Sequence, residues 1–161
     1  MSNLKKIMNE IIPVDDYKHR NGFSNHKKVD RLSLEEKSYI EDELIRKLDD
    51  SYDSLIIETL AYMKSIKALP HLYRLLDDDF NALSKIIIAT SIFGINNDLK
   101  MIDIVICNFK CLEDTYQLIS AFYYLNQFEN EKTNDIINSL IVSSNELVAY
   151  NAKRALKMSE R

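Results

Sequence analysis

The chain has 161 residues, enough for one domain with a continuous core, and its 46 % hydrophobic content is that of a folded globular protein and not of a disordered one. Two glycines and two prolines in the whole chain leave too few turn-makers for a protein of many strands, so an all-α fold is expected. Charge is uneven: residues 1–31 hold seven basic and four acidic side chains, and residues 32–161 hold fourteen basic against twenty-one acidic. A negative helical body repels phosphate backbones, which argues against direct nucleic-acid binding and favours a basic protein partner.

In chain order, Leu4, Ile7, Met8, Ile11 and Ile12 share one side of a helix over residues 3–12, which Pro13 ends. This opening, Met1-Ser2-Asn3-Leu4-Lys5-Lys6 followed by a short amphipathic stretch, has the pattern of neither a secretory leader nor a bilayer span. The chain therefore reads as cytoplasmic, with no membrane partner. From Val14 to Arg31 there is no period, charges of both signs mix, and Asn21-Gly22 marks a turn. Residues 1–32 are accordingly expected to form a short helix and an irregular lead-in outside the main body, which spans 33–161.

Ser33-Leu34-Glu35-Glu36 has the pattern of a capping box, with the Ser33 hydroxyl and the Glu36 carboxylate exchanging bonds at a helix start. Tyr39, Ile40, Leu44 and Leu48 follow at helical spacing, and Asp49-Asp50-Ser51 breaks the run. A helix from Asp53 carries Leu55, Ile56, Ile57, Leu60, Ala61 and Met63. Its partner opens at Ala68-Leu69-Pro70, where a first-turn proline loses no useful hydrogen bond, and Leu72, Leu75 and Leu76 form its inward stripe. Asp77-Asp78-Asp79 closes that helix and is placed to cap the next one. The next runs from Phe80 to Phe93 with Leu83, Ile86, Ile87 and Thr90 inward and Gly94 as the left-handed residue past its end. Leu99, Ile102, Val105, Ile106 and Phe109 line its partner. Leu112 to Leu125 and then Ile136 to Ile141 make a third pair, and Ser144 caps a last helix over 145–158.

These pairs echo one another at a spacing of about 30 residues: Ile57, Ile87, Ile119 and Ala149 take equivalent places in the first helices, and Leu72, Ile102 and Ile136 in the second. Such units stack because no single pair buries its own apolar face. Two segments carry a family likeness. Ala68-Leu69-Pro70-His71-Leu72-Tyr73-Arg74-Leu75-Leu76 resembles the second-helix signature of short bacterial HEAT-like repeats, and Val148-Ala149-Tyr150-Asn151-Ala152-Lys153-Arg154-Ala155-Leu156 is similar to their first helix. The resemblance covers residues 53–158. It implies a right-handed α-solenoid of three to four antiparallel helix pairs, in which Gly94 keeps the glycine at the end of a first helix while Ser65 and Gln127 stand near the equivalent places.

Chemistry is sparse. His19, His26 and His71 are far apart and in no metal-binding pattern, two glycines build no phosphate cradle, and no catalytic residue, metal or cofactor is expected. Cys107 and Cys111, four apart on a helix, read as two reduced thiols buried with the core. What remains is surface. Second helices usually line the concave side of a solenoid, so the expected partner-binding residues are His71, Tyr73, Arg74 and Asp78, then Lys100 and Asp103, then Asn134 and Asn138. Of the Tyr123-Tyr124 pair, one ring belongs to the core and the other to the surface. The expected function is that of a non-enzymatic protein-binding module, most narrowly an immunity protein that neutralises a basic bacterial toxin such as a nuclease. The alternatives are a general scaffold or regulatory adaptor, and a HEAT-like DNA-repair or ligand-handling enzyme.

Overall fold

The computed structural model describes residues 2–20 and 22–159; Asn21 of the expected lead-in and the last two residues of the expected solenoid lie outside them. Every regular element among the described residues is helical: α1 Ser2–Ile11, α2 Tyr17–Arg20, α3 His26–Asp30, α4 Leu34–Asp50, α5 Ser54–Tyr62, a 3-10 turn Ile66–Ala68, α6 Leu69–Asp77, α7 Ala82–Asn96, α8 Lys100–Phe109, α9 Thr115–Asn126, α10 Glu131–Ser139 and α11 Glu146–Ser159. None of these helices is long and apolar enough to cross a membrane.

Helix α7 is the centre. Its sequence is apolar or small almost all round, and Ile86 through Ile92 are buried without interruption, as expected of a helix with neighbours on every side. It packs against α5, α6, α8 and α9, and α9 in turn meets α10 and α11. Ile86, Ile88 and Ile92 are fully buried, and each contributes about 1.5–3 kcal/mol relative to an exposed side chain. At the other end α4 lies against α1, α5 and α6, and its Ile40, Leu44 and Leu48 stripe enters the same core.

The starts of the first helices repeat one device. Asp53, Asn81, Asp114 and Asn145 each turn a side-chain oxygen onto the amide of Leu55, Ser84, Gln117 and Leu147 respectively, satisfying donors that the first helical turn leaves orphaned. The capping box forms as its sequence indicates: the Glu36 amide donates to Ser33 Oγ and the Ser33 amide to Glu36 Oε2. Two expected caps are corrected. Asn81, not the aspartate triplet, caps α7, and Asn145, not Ser144, caps α11, because in each case the residue directly before the first turn is itself a good cap and takes the bond.

The ends of α5, α7 and α9 repeat a second device, a residue in the left-handed region: Lys64 (φ 56°), Asn97 (φ 57°) and Glu129 (φ 46°). Gly94 is therefore not the terminator. It lies inside α7, which runs on to Asn96 and closes with the Asn97 amide on the Phe93 carbonyl.

The lead-in also departs from the irregular loop expected outside the main body. It holds the short helices α2 and α3, and it is joined to α5 by bonds from distant residues. Arg20 clasps Asp53, and the buried Asn25 amide donates to the Ile11 carbonyl at 3.1 Å and to Thr59 Oγ1 at 2.7 Å. Met8, Ile11 and Val29 join the core cluster. A further correction concerns the cysteines. Both thiols are exposed, Cys107 on the outer side of α8 and Cys111 in the turn beyond it, because Val105 and Phe109 take the inward positions of that helix.

Candidate functional site

A cleft of about 620 Å³ opens on the side of the molecule made by α5, α7 and α9. Its floor is α7, which presents Thr90, Ser91 and Gly94 there; their small side chains set the floor back from the helices on either hand. One wall is α5 with residues 23–26 of the N-terminal arm, and the other is α9 with Tyr123, Tyr124 and Gln127. The arm is held in place by the Asn25 bonds, and beside it the His26 ring lies parallel on the Tyr62 ring with centroids 3.9 Å apart. The Tyr62 hydroxyl donates to the Asp30 carboxylate, 2.9 Å from Oδ1.

The two walls meet across the floor. Tyr124 on α9 reaches over α7, and its hydroxyl donates to Glu58 Oε1 on α5 at 2.8 Å. Burial pushes the Glu58 carboxyl above the usual carboxylate range, and the Tyr124 bond and nearby His26 offset this only in part. Burial likewise pushes the Tyr124 phenol upward, and the adjacent carboxylate adds to it, so the phenol stays protonated as the donor. Glu58 forms no ion pair with a described residue. The other charged group of the cleft, Lys64, donates instead to the Gly94 carbonyl. Thr90 Oγ1 is sealed from solvent and has no hydrogen-bond partner in the protein. Among the described residues no group of three or more metal-ligating side chains gathers.

The residues expected from sequence sit elsewhere and are distributed along the second helices. His71 Nδ1 and the Arg74 guanidinium both bind Asp49 at the end of α4. The Tyr73 hydroxyl donates to Asp98 Oδ2 at 2.7 Å and accepts from Asn96. Asp103 on α8 pairs with Lys132 on α10 at 3.2 Å. Asp78, Lys100 and Asn138 are exposed, while Asn134 is half-buried with its side-chain oxygen unpartnered. His71, Tyr73, Arg74 and Asp103 thus join neighbouring elements, and none of the eight residues lines the cleft. Sequence reasoning passed over Glu58, the one charged residue inside the apolar run Leu55-Ile56-Ile57-Glu58-Thr59-Leu60, and that isolation was its signal. The Tyr123-Tyr124 pair divides as expected, with Tyr123 60 % exposed and Tyr124 turned inward to Glu58.

No family model matches this chain, and neither a curated protein nor a solved structure matches it.

Proposed function

We propose that the chain is a non-enzymatic protein-binding module built as a short HEAT-like α-solenoid, and that it engages a basic partner through the face made by its first helices. The solenoid reading is supported by the recurring caps and left-handed terminators, and by bonds that join like ends of successive first helices. Lys64 at the end of α5 meets Gly94 near the end of α7, Asn145 before α11 meets Thr115 at the start of α9, and Asn126 at the end of α9 meets Ala155 late in α11.

The observation that carries the binding reading is the row of exposed tyrosines on this face. Tyr116 and Tyr123 stand two turns apart on α9 and are 73 % and 60 % exposed, Tyr150 on the adjoining α11 is 59 % exposed, and Tyr62 borders the cleft on α5. Tyrosine supplies large contact area with a polar tip at low entropic penalty, and it is enriched where binding energy concentrates. The polar groups of the second helices are, by contrast, largely engaged with one another. The acidity of residues 32–161 favours a basic partner by steering. In its narrowest form the partner is a basic bacterial toxin domain, and the chain is the cytoplasmic immunity protein that silences it.

The test is co-purification from native cells with three tagged chains: the wild type, Tyr123→Ala with Tyr150→Ala, and Asp103→Asn with Asn138→Ala. One stoichiometric basic partner, lost with the tyrosine pair and kept with the second-helix pair, is the expected result. Loss with the second-helix pair alone moves the interface to the other face. Many unrelated proteins make the chain an adaptor, and a partner whose toxicity is unchanged in the complex removes the immunity reading.

A further inference from the structure

We propose that the cleft between α5 and α9 is a receptor for an arginine side chain of the partner, with the guanidinium held by Glu58 and Tyr124 and flanked by Tyr123. The inference rests on the binding-module reading and names what the partner inserts.

The cleft's polar groups at its centre are acceptors left incomplete. Glu58 Oε1 takes the Tyr124 hydroxyl hydrogen, while its second oxygen has no hydrogen-bond partner among the described residues and is not among the sealed atoms. Having donated its proton, the Tyr124 oxygen keeps its lone pairs. Thr90 is 97 % buried by residue, and its hydroxyl has no partner. That hydroxyl is sealed beneath the floor and out of reach of an occupant, so Glu58 and Tyr124 supply the acceptors that the cleft offers.

The occupant's charge follows from what Glu58 lacks. Lys64, the ammonium lining the cleft, donates to the Gly94 carbonyl, and His26 beside the half-buried Glu58 carboxyl offsets its burial only in part, so the carboxylate has no ion-pair partner among the described residues. Its raised proton affinity fits a site that is completed by a cation brought from outside. A guanidinium suits better than an ammonium. It carries five donors in a plane, which can serve several acceptors at once, and its face stacks on tyrosine rings, whereas an ammonium is a compact, strongly hydrated point charge. Tyr123 lies edge-on to Tyr124, with centroids 5.1 Å apart, and remains open at the rim to provide such a ring. The cleft's volume of about 620 Å³ is ample for an arginine side chain together with part of the segment that carries it.

The probe is Nα-acetyl-arginine-N-methylamide, titrated into the isotope-labelled full chain and followed by NMR, with the citrulline analogue as a neutral isostere. Saturable shifts of the Thr90, Tyr123 and Tyr124 signals are expected with the arginine probe, and at least about tenfold weaker binding of the citrulline one. Glu58→Gln should weaken the arginine probe by at least about tenfold. Calorimetry in two buffers of different ionisation enthalpy should show proton release from Glu58 on binding in the window just above the ordinary carboxylate value. No saturable shifts, equal binding of the citrulline probe, or an unchanged affinity in folded Glu58→Gln overturns the receptor. A partner that co-purifies equally with the Glu58→Gln chain overturns the arginine anchor and leaves the binding-module reading standing. Probe binding with no protein partner overturns that reading and the arginine's source together.

Discussion

Arg20 and Asp53 form a two-pronged clasp across thirty-three positions of the chain, with Nη1 on Oδ1 at 2.7 Å and Nη2 on Oδ2 at 2.8 Å, both side chains mostly buried. Arg20 also donates to the Pro13 carbonyl, and Asp53 is the N-cap of α5, so one ion pair ties the N-terminal arm to the helix that walls the cleft. Arg20→Met removes the cation and leaves a partly buried carboxylate. A loss of roughly 2–3 kcal/mol in urea unfolding is expected. The same clasp sets an acid limb. Burial raises the Asp53 carboxyl, but the hydrogen bonds and charge of Arg20 outweigh it and hold the group below the usual carboxylate range. Between the depressed folded value and the ordinary unfolded one, the unfolded chain binds more protons. The stabilisation is thus complete above the ordinary value and is lost as pH falls through the folded one. Arg20→Met should flatten that limb, and an unfolding series between about pH 2 and about pH 5 reads it.

Glu58 gives a pH dependence of the opposite sign. Burial raises its carboxyl, so in the window above the ordinary carboxylate value the folded chain holds a proton that the unfolded chain has released. Stability therefore falls as pH rises through that window and levels off above the folded value. Glu58→Gln keeps a carbonyl oxygen for the Tyr124 hydroxyl and cannot ionise. Relative to wild type, the variant is expected to gain more at about pH 8 than at about pH 5, as read from urea midpoints. An equal difference at both would show that Glu58 ionises in the fold as it does in the open chain.

Which of these features a sequence reveals depends on how far away the deciding partner lies. The capping box at Ser33 and Glu36, the helix start at Asp53 and the first-turn Pro70 involve neighbours within three residues, and all were legible. So was the inward stripe of Leu72, Leu75 and Leu76, because helical period alone decides it. The arm was not, since Arg20 and Asn25 take partners thirty-three and thirty-four positions away and nothing local marks them as anchored. The cleft was hidden for the same reason. Tyr124 and Glu58 are sixty-six positions apart, and Thr90 reads as one more inward side chain until α5 and α9 stand back from it.

The cysteines allow a direct check on one corrected expectation. Cys107 and Cys111 are both exposed, and the Cys111 thiol makes only a long contact of 3.6 Å with the Cys107 carbonyl. Two equivalents of thiol should therefore react with a disulfide reagent in the native chain, without denaturant. Their replacement by serine should change stability by no more than about 0.5 kcal/mol, because neither fills a core position. Slow labelling that waits on unfolding would restore the buried reading.

Gly94 and Asn97 separate two accounts of how α7 ends. If the glycine were the left-handed terminator, Gly94→Ala would be strained. In the structure Gly94 has ordinary helical backbone, and a methyl group built on it meets nothing within 4 Å. Alanine there restricts the unfolded chain and favours the helix, so Gly94→Ala should raise stability by about 0.5–1 kcal/mol. Asn97 carries the positive φ, which asparagine tolerates and alanine resists. Asn97→Ala should lower stability by about 1 kcal/mol, and Asn97→Gly should keep it or raise it. Thermal midpoints of the three variants decide the matter by sign alone. Lys64 and Glu129 also take left-handed backbone, two residues past the end of α5 and three past the end of α9. Glycine at either of those positions should stabilise the chain for the same reason, which would mark the backbone turn, and not a conserved glycine, as the feature common to the three helix ends.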